Sequence, residues 1–325
     1  MHGWFCDTLD GVDALTWRDM PTPEPGPGQA LIAIAAASLN FPDLLIIQGK
    51  YQFKPALPFV PGSEFAGTVV AVGPGVGQVK AGDRVASVGG TGGFATHALA
   101  DAAQLVVLPA GLPFDDAAAF VLTYGTTHHA LVDRAALKSG ETVLVLGAAG
   151  GVGTAAIQIA KAMGARVIAG VSTAEKAAFC RSLGADATID YKTENLRDAL
   201  KALTGGKGPD VIYDPVGGAL AEPAFRSIAW RGRYLVIGFA EGTIPSLPLN
   251  LALLKGASVV GVFWGDYVRR EPADWARVMV ELGVWYGQGR IKPVIDQQLP
   301  MNRLPEAYGR MASRRVRGKL VMTNA

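Results

Sequence analysis

The chain has 325 residues, of which 50% are apolar and 18% charged, which excludes a disordered or fibrous protein and allows two domains with separate cores. With 30 basic residues against 28 acidic ones, no charge excess favours nucleic acid or a membrane surface as partner. The 2 cysteines, Cys6 and Cys180, can build neither a disulfide framework nor a four-thiolate zinc site, and the opening Met1-His2-Gly3-Trp4 lacks a signal core, which points to the cytoplasm.

The first third reads as β-rich. Proline and glycine crowd positions 21–28 and rule out regular structure there. Strands are expected at 30–36, 67–72, 84–88 and 98–108, with turns at Gly73-Pro74-Gly75 and Lys80-Ala81-Gly82-Asp83. From about Thr126 the pattern changes to alternating strand and helix. Strands are expected at 142–146, 166–171, 187–190, 211–214, 233–237 and 259–263. Between them fall helices at 152–163, 174–183, 194–203 and 219–229. Such units, with strands apolar on both faces, imply a parallel sheet covered by helices. A helix at 272–286 and a strand at 319–322 close the chain. The uncharged run 143–160 has the length of a membrane span, but Gly147, Gly150, Gly151 and Gly153 would interrupt a helix there. A buried strand, a tight turn and a helix explain it better.

Gly147-Ala148-Ala149-Gly150-Gly151-Val152-Gly153 sits between such a strand and an amphipathic helix. In this variant of the dinucleotide fingerprint Ala148 stands where the first glycine is usual, Gly150 lets backbone approach a pyrophosphate, and Gly153 permits close helix–strand packing. The helix start would offer N–H groups and a positive dipole end to the phosphates. No Lys-Ser or Lys-Thr follows the glycines, which argues against a nucleotide-hydrolase loop. An NAD site places an acid at the end of the second strand, whereas this chain reads Val171-Ser172-Thr173-Ala174-Glu175-Lys176. Ser172 and Lys176 are therefore expected to receive a 2′-phosphate and to select NADPH, although Lys176 also reads as an ordinary exposed helix lysine.

These residues, with Leu39-Asn40-Phe41-Pro42-Asp43, Gly49-Lys50-Tyr51, Pro61-Gly62-Ser63-Glu64-Phe65-Ala66-Gly67, Ala81-Gly82-Asp83-Arg84-Val85 and Asp214-Pro215-Val216-Gly217-Gly218, resemble the medium-chain dehydrogenase/reductases. Within them the chain is most similar to the zinc-independent quinone oxidoreductases related to zeta-crystallin. The resemblance implies an α/β fold: a GroES-like β-rich catalytic domain (1–123, with 267–325 returning to it) and a doubly wound Rossmann domain with a parallel sheet (124–266). It also implies a homodimer. By the same resemblance, Tyr51, Asn40 and Asp43 belong to the reacting site. Thr126, Gly150, Gly151, Val152, Gly153, Ser172, Lys176, Tyr191, Phe239, Phe263 and Lys319 bind NADPH.

The zinc-dependent branch of that group has a cysteine where this chain reads Ser38-Leu39-Asn40 and a histidine at Ser63, so no metal is expected. His128 and His129, adjacent on a helix, would point about 100° apart and cannot share an ion. Without a Lewis acid a quinone or conjugated enone is an easier hydride acceptor than a plain ketone. Tyr51 could donate a hydrogen bond to its oxygen, with Asn40 assisting, or could only pack on the nicotinamide. A 2-enal, enone or enoyl-thioester reductase is the alternative. A structural or RNA-binding role would rest on Arg314-Arg315-Val316-Arg317-Gly318-Lys319, better read as a solvated helix end.

Overall fold

The structure, a computed structural model, describes residues 1–324. The chain forms two compact units, residues 1–122 with the tail from 293, and residues 123–292. In the first unit β1 (His2–Cys6) and β2 (Leu15–Asp19) make an antiparallel hairpin. They are followed by β3 (Gln29–Leu39), β4 (Glu64–Val72), β5 (Arg84–Val88), β6 (His97–Asp101) and β7 (Val106–Val107). The second unit supplies β8 (Thr142–Val145), β9 (Arg166–Val171), β10 (Ala187–Asp190), β11 (Val211–Asp214), β12 (Arg233–Val236) and β13 (Ser258–Gly261). The tail returns with β14 (Ile295–Pro300) and β15 (Lys319–Thr323).

The large sheet of the first unit runs β14-β15-β3-β4-β5-β7, with β6 also on β3. In its register Ser38 lies opposite Glu64 on β4, and Leu39 opposite Leu320 on β15. The strand ends therefore bring Asn40, Glu64 and Lys319 together from three distant parts of the chain. Beneath the sheet Ile32, Leu39, Phe65, Phe94, Tyr308 and Met322 form the core.

The second sheet runs β10-β9-β8-β11-β12-β13, with every pairing parallel. Its order reverses beside β8, the topological switch at which doubly wound sheets bind ligands. The apolar strands are buried on both faces, as Val143, Leu144, Val145, Val167, Ile168, Val211 and Ile212 show. The run 143–160 resolves into β8, a turn and the helix Gly151–Ala162, and no described helix is long and apolar enough to cross a membrane.

Two expectations need correcting. The strand expected over 98–108 breaks after Asp101, whose carboxylate accepts the Ala103 N–H at 2.9 Å and turns the chain. The return to the first unit comes at 293 and not at 267. Trp264 packs edge-on against Trp275 at 5.2 Å, and Tyr267 stacks on His129 at 4.1 Å, which holds the helices Trp264–Arg270 and Pro272–Gly287 in the second unit.

Candidate functional site

In the second unit the glycine-rich turn leaves β8 and opens the helix Gly151–Ala162. Its glycines have different reasons. Gly147 has φ +58°, the left-handed region, and the turn closes with Gly150 N–H donating to Gly147 O at 3.0 Å. A Cβ on Gly153 would lie 2.5 Å from Gly147 O and 2.7 Å from the Ala148 backbone, so only glycine lets helix and strand approach this closely. A Cβ on Gly150 would meet only Gly147 O, at 3.5 Å. The fold does not need glycine at that point; a side chain there would fill the open space before the helix start. No side chain caps this N-terminus, whose first N–H groups have no partner within the helix. That is the cradle a pyrophosphate requires, and Gly150, Gly151, Val152 and Gly153 line it.

At the end of β9, Thr173 caps the next helix by accepting the Lys176 N–H at 3.2 Å. Ser172 and Lys176 flank this cap, both half-buried, and no carboxylate ends the strand. Tyr191 joins the corner through its N–H, which donates to Val171 O at 3.0 Å. Thr126 is buried on the helix Val121–His128, Phe239 packs over Gly217, and Phe263 is exposed just before the helix Trp264–Arg270.

The first unit holds a dense polar cluster. Ser38, Asn40, Asp43, Ser63, Glu64 and Lys319 are all buried. Glu64 is its hub: Oε1 accepts the Leu122 N–H at 2.8 Å, and Oε2 accepts Ser38 Oγ–H at 2.8 Å and Asn40 Nδ2–H at 3.0 Å. The Lys319 ammonium lies 3.4 Å from the same Oε2 and donates to Asn40 Oδ1. The other Asn40 amide hydrogen goes to Ser38 O at 3.3 Å. Asp43 is held by two backbone donors, Asn40 N–H at 2.8 Å and Ser63 N–H at 2.9 Å. Burial pushes its carboxyl up to about 6, although those N–H groups and the Lys319 charge pull the other way. Burial also lowers the Lys319 ammonium from its usual range. Tyr51 packs half-buried against this core, and burial together with the Asp43 charge raises its phenol, so it stays protonated at neutral pH.

Two expectations change here. Asn40 cannot assist as a donor to substrate, because both of its amide hydrogens are already bonded within the cluster. Lys319, expected at the cofactor, is instead turned inward at 4% exposure and committed to Asn40 and Glu64. In the sequence Glu64 is visible only as one letter of a motif, and Ser38 only as a position that lacks a metal ligand. The signal for both is a polar side chain within or beside an apolar strand, which needs buried partners that only the register reveals.

A zinc ion does not fit this cluster. Ser38, Asn40 and Ser63 offer no thiolate or imidazole, and an ammonium already occupies the charged centre. Among the described residues no group of three or more His, Cys, Asp or Glu could hold a metal ion. His128 faces Glu281 at 3.3 Å and His129 faces Asp133 at 2.9 Å, each with its own partner.

Two family models match the chain, and its relatives include reductase-like proteins. Residues 26–110 match the alcohol dehydrogenase GroES-like domain and residues 151–283 the zinc-binding dehydrogenase model. A quinone oxidoreductase-like protein 2 homolog of Nematostella vectensis is 39% identical over 300 residues, 91% of this chain and 82% of that protein. A mycobacterial structure complexed with NADPH superposes with a TM-score of 0.94 at 32% identity, covering 100% of both chains. Escherichia coli quinone oxidoreductase complexed with NADPH gives a TM-score of 0.93 at 30% identity, again over 100% of both chains.

Proposed function

The chain belongs to the zinc-independent, quinone oxidoreductase-like branch of the medium-chain dehydrogenase/reductases, and from that premise we propose that it reduces a quinone or similar conjugated carbonyl with hydride from NADPH. The observation that carries this reading is the open cradle at Gly150 before an uncapped helix, followed by a strand end without a carboxylate. NADPH, when bound, supplies the hydride. Gly151 to Gly153 would hold its pyrophosphate by backbone N–H groups, with Gly150 leaving room for its approach, and Ser172 and Lys176 would hold its 2′-phosphate. Tyr51 would donate to the acceptor oxygen as negative charge develops there. The homodimer expected for this family finds support in β13, an edge strand paired only with β12 among the described residues and carrying an exposed Val259. Sedimentation at the mass of one chain would remove that part of the proposal.

The phenol donor suits an enal, enone or enoyl thioester as well as a quinone, so substrate class is decided by turnover. NADPH oxidation measured against quinones, 2-enals, enones and enoyl thioesters should be fastest with quinones. Faster reduction of an enoyl thioester or enal would transfer the assignment to the alternative. The RNA-binding reading has less to rest on, since Lys319 is buried and Arg317 faces Asp296 at 3.7 Å, which leaves Arg314 and Arg315 as the exposed part of the cluster. Tight, sequence-selective RNA binding at physiological salt would move it ahead of the reductase reading.

A further inference from the structure

The Glu64–Lys319 pair lies outside the roles of the cofactor and acceptor sites. Burying two opposite charges is costly, and a protein that needed only stability would do as well with apolar side chains of similar size. Here the pair is also geometrically constrained. One carboxylate oxygen takes the Leu122 N–H at 2.8 Å, at the start of the helix Val121–His128 that carries Thr126. The other gathers Ser38, Asn40 and the Lys319 ammonium. Asn40 is thereby held at both ends of its amide, with Oδ1 on the ammonium and Nδ2 on the carboxylate. Its backbone N–H in turn holds Asp43, and Asp43 also receives Ser63 N–H. A neutral amide beside an unpaired carboxylate or an unpaired ammonium could rotate or flip, whereas this pair admits a single orientation.

We propose that Glu64 and Lys319 are positioning residues, which lock the Asn40 amide and through it the Asp43 loop that leads to Tyr51, and that Lys319 does not bind a cofactor phosphate. The proposal rests on the reductase reading for its kinetic consequence, but not for its structural one. The charged and titratable groups that face Asp43 are Lys319 from β15, Tyr51 from the loop after the helix Phe41–Ile46, and Tyr308 from the helix Leu304–Ala312. Removing the Lys319 charge therefore takes from Asp43 the cation that faces it.

The test compares wild type with Lys319→Met, Lys319→Arg, Glu64→Gln and the double variant Glu64→Gln/Lys319→Met. Three readouts are taken: kcat with a quinone, Kd for NADPH from its fluorescence without acceptor, and exchange of the Asn40 side-chain amide protons by NMR. A positioning role predicts that Lys319→Met lowers kcat by roughly tenfold or more, as misplacement of a reacting group does. It should leave the NADPH Kd within about twofold, since only an interaction of about 1.4 kcal/mol would change it tenfold. Asn40 amide exchange should accelerate, Lys319→Arg should recover part of both losses, and the double variant should be little worse than either single one. If a single variant fails to fold, the charge-balanced double variant supplies the exchange measurement. A tenfold weaker NADPH Kd with kcat unchanged would make Lys319 a phosphate ligand and overturn the proposal. Unchanged Asn40 exchange in every folded variant would overturn it too. If wild type reduces no acceptor, the reductase reading fails, and the amide exchange still decides whether the pair locks Asn40.

Discussion

A phenol kept protonated by burial and by a neighbouring carboxylate is well suited to donate to a developing oxyanion, and Tyr51 is such a phenol. Tyr51→Phe should raise the barrier by about 2–3 kcal/mol, read as a fall in kcat with NADPH KM unchanged. An unchanged kcat would reduce Tyr51 to packing. Lys176 makes a separate prediction. Lys176→Ala should raise the NADPH KM roughly tenfold at moderate ionic strength and leave the NADH KM alone, because NADH has no 2′-phosphate. Equal weakening of both cofactors would show that Lys176 does not read the phosphate. Asp43 carries a pH signature. Its folded carboxyl lies at about 6 against an ordinary value of 3.8, so the native state binds the extra proton between those values. Its contribution to stability is therefore complete below about pH 4 and is lost as pH rises through about 6, with a slope approaching 1.4 kcal/mol per pH unit. Chemical denaturation across that window should show this decline, and its absence would place the carboxyl elsewhere. Tyr51 enters the sequence reading through family resemblance and the Ser172–Lys176 corner through its spacing from the glycines, each within a short local stretch. The environment of Asn40 could not be read from the sequence, since its two partners sit at positions 64 and 319 and meet only through strand register.

The turn after β8 separates two demands on glycine that look alike in a string of letters. Gly153→Ala puts a methyl 2.5 Å from Gly147 O and should cost on the order of 1–3 kcal/mol of stability, seen as a lower Tm. Gly150→Ala meets nothing closer than 3.5 Å and should leave Tm unchanged while weakening NADPH binding, because its methyl occupies the pyrophosphate's space. Loss of Tm at Gly150, or undiminished NADPH affinity, would contradict the cradle. Strands such as β9 and β11 fall where the apolar runs place them, since buried parallel strands have no other composition available. The ends of elements were less legible. Asp101 stops a strand through a side-chain bond that periodicity does not encode. The helix Pro272–Gly287 looks the same in either unit until Trp275 meets Trp264.

For the molecule as a whole, the pattern of βαβ units and the glycine fingerprint make the doubly wound second unit readable in advance, and its strand order bears this out. The first unit is legible mainly through resemblance, because short antiparallel strands with long connections leave weak periodicity. At the centre of the buried cluster stands a lysine ammonium beside Glu64, and the proposed reductase is expected to work without a bound metal. The direct test is the steady-state rate of quinone-dependent NADPH oxidation by exhaustively chelated protein, with NADH run in parallel. Turnover should be undiminished by chelation and unaffected by added zinc. The KM for NADPH should lie roughly tenfold below that for NADH, the difference that one charge-assisted bond to the 2′-phosphate supplies. Turnover lost on chelation and restored by zinc, or a preference for NADH, would contradict a zinc-independent, NADPH-selective reductase.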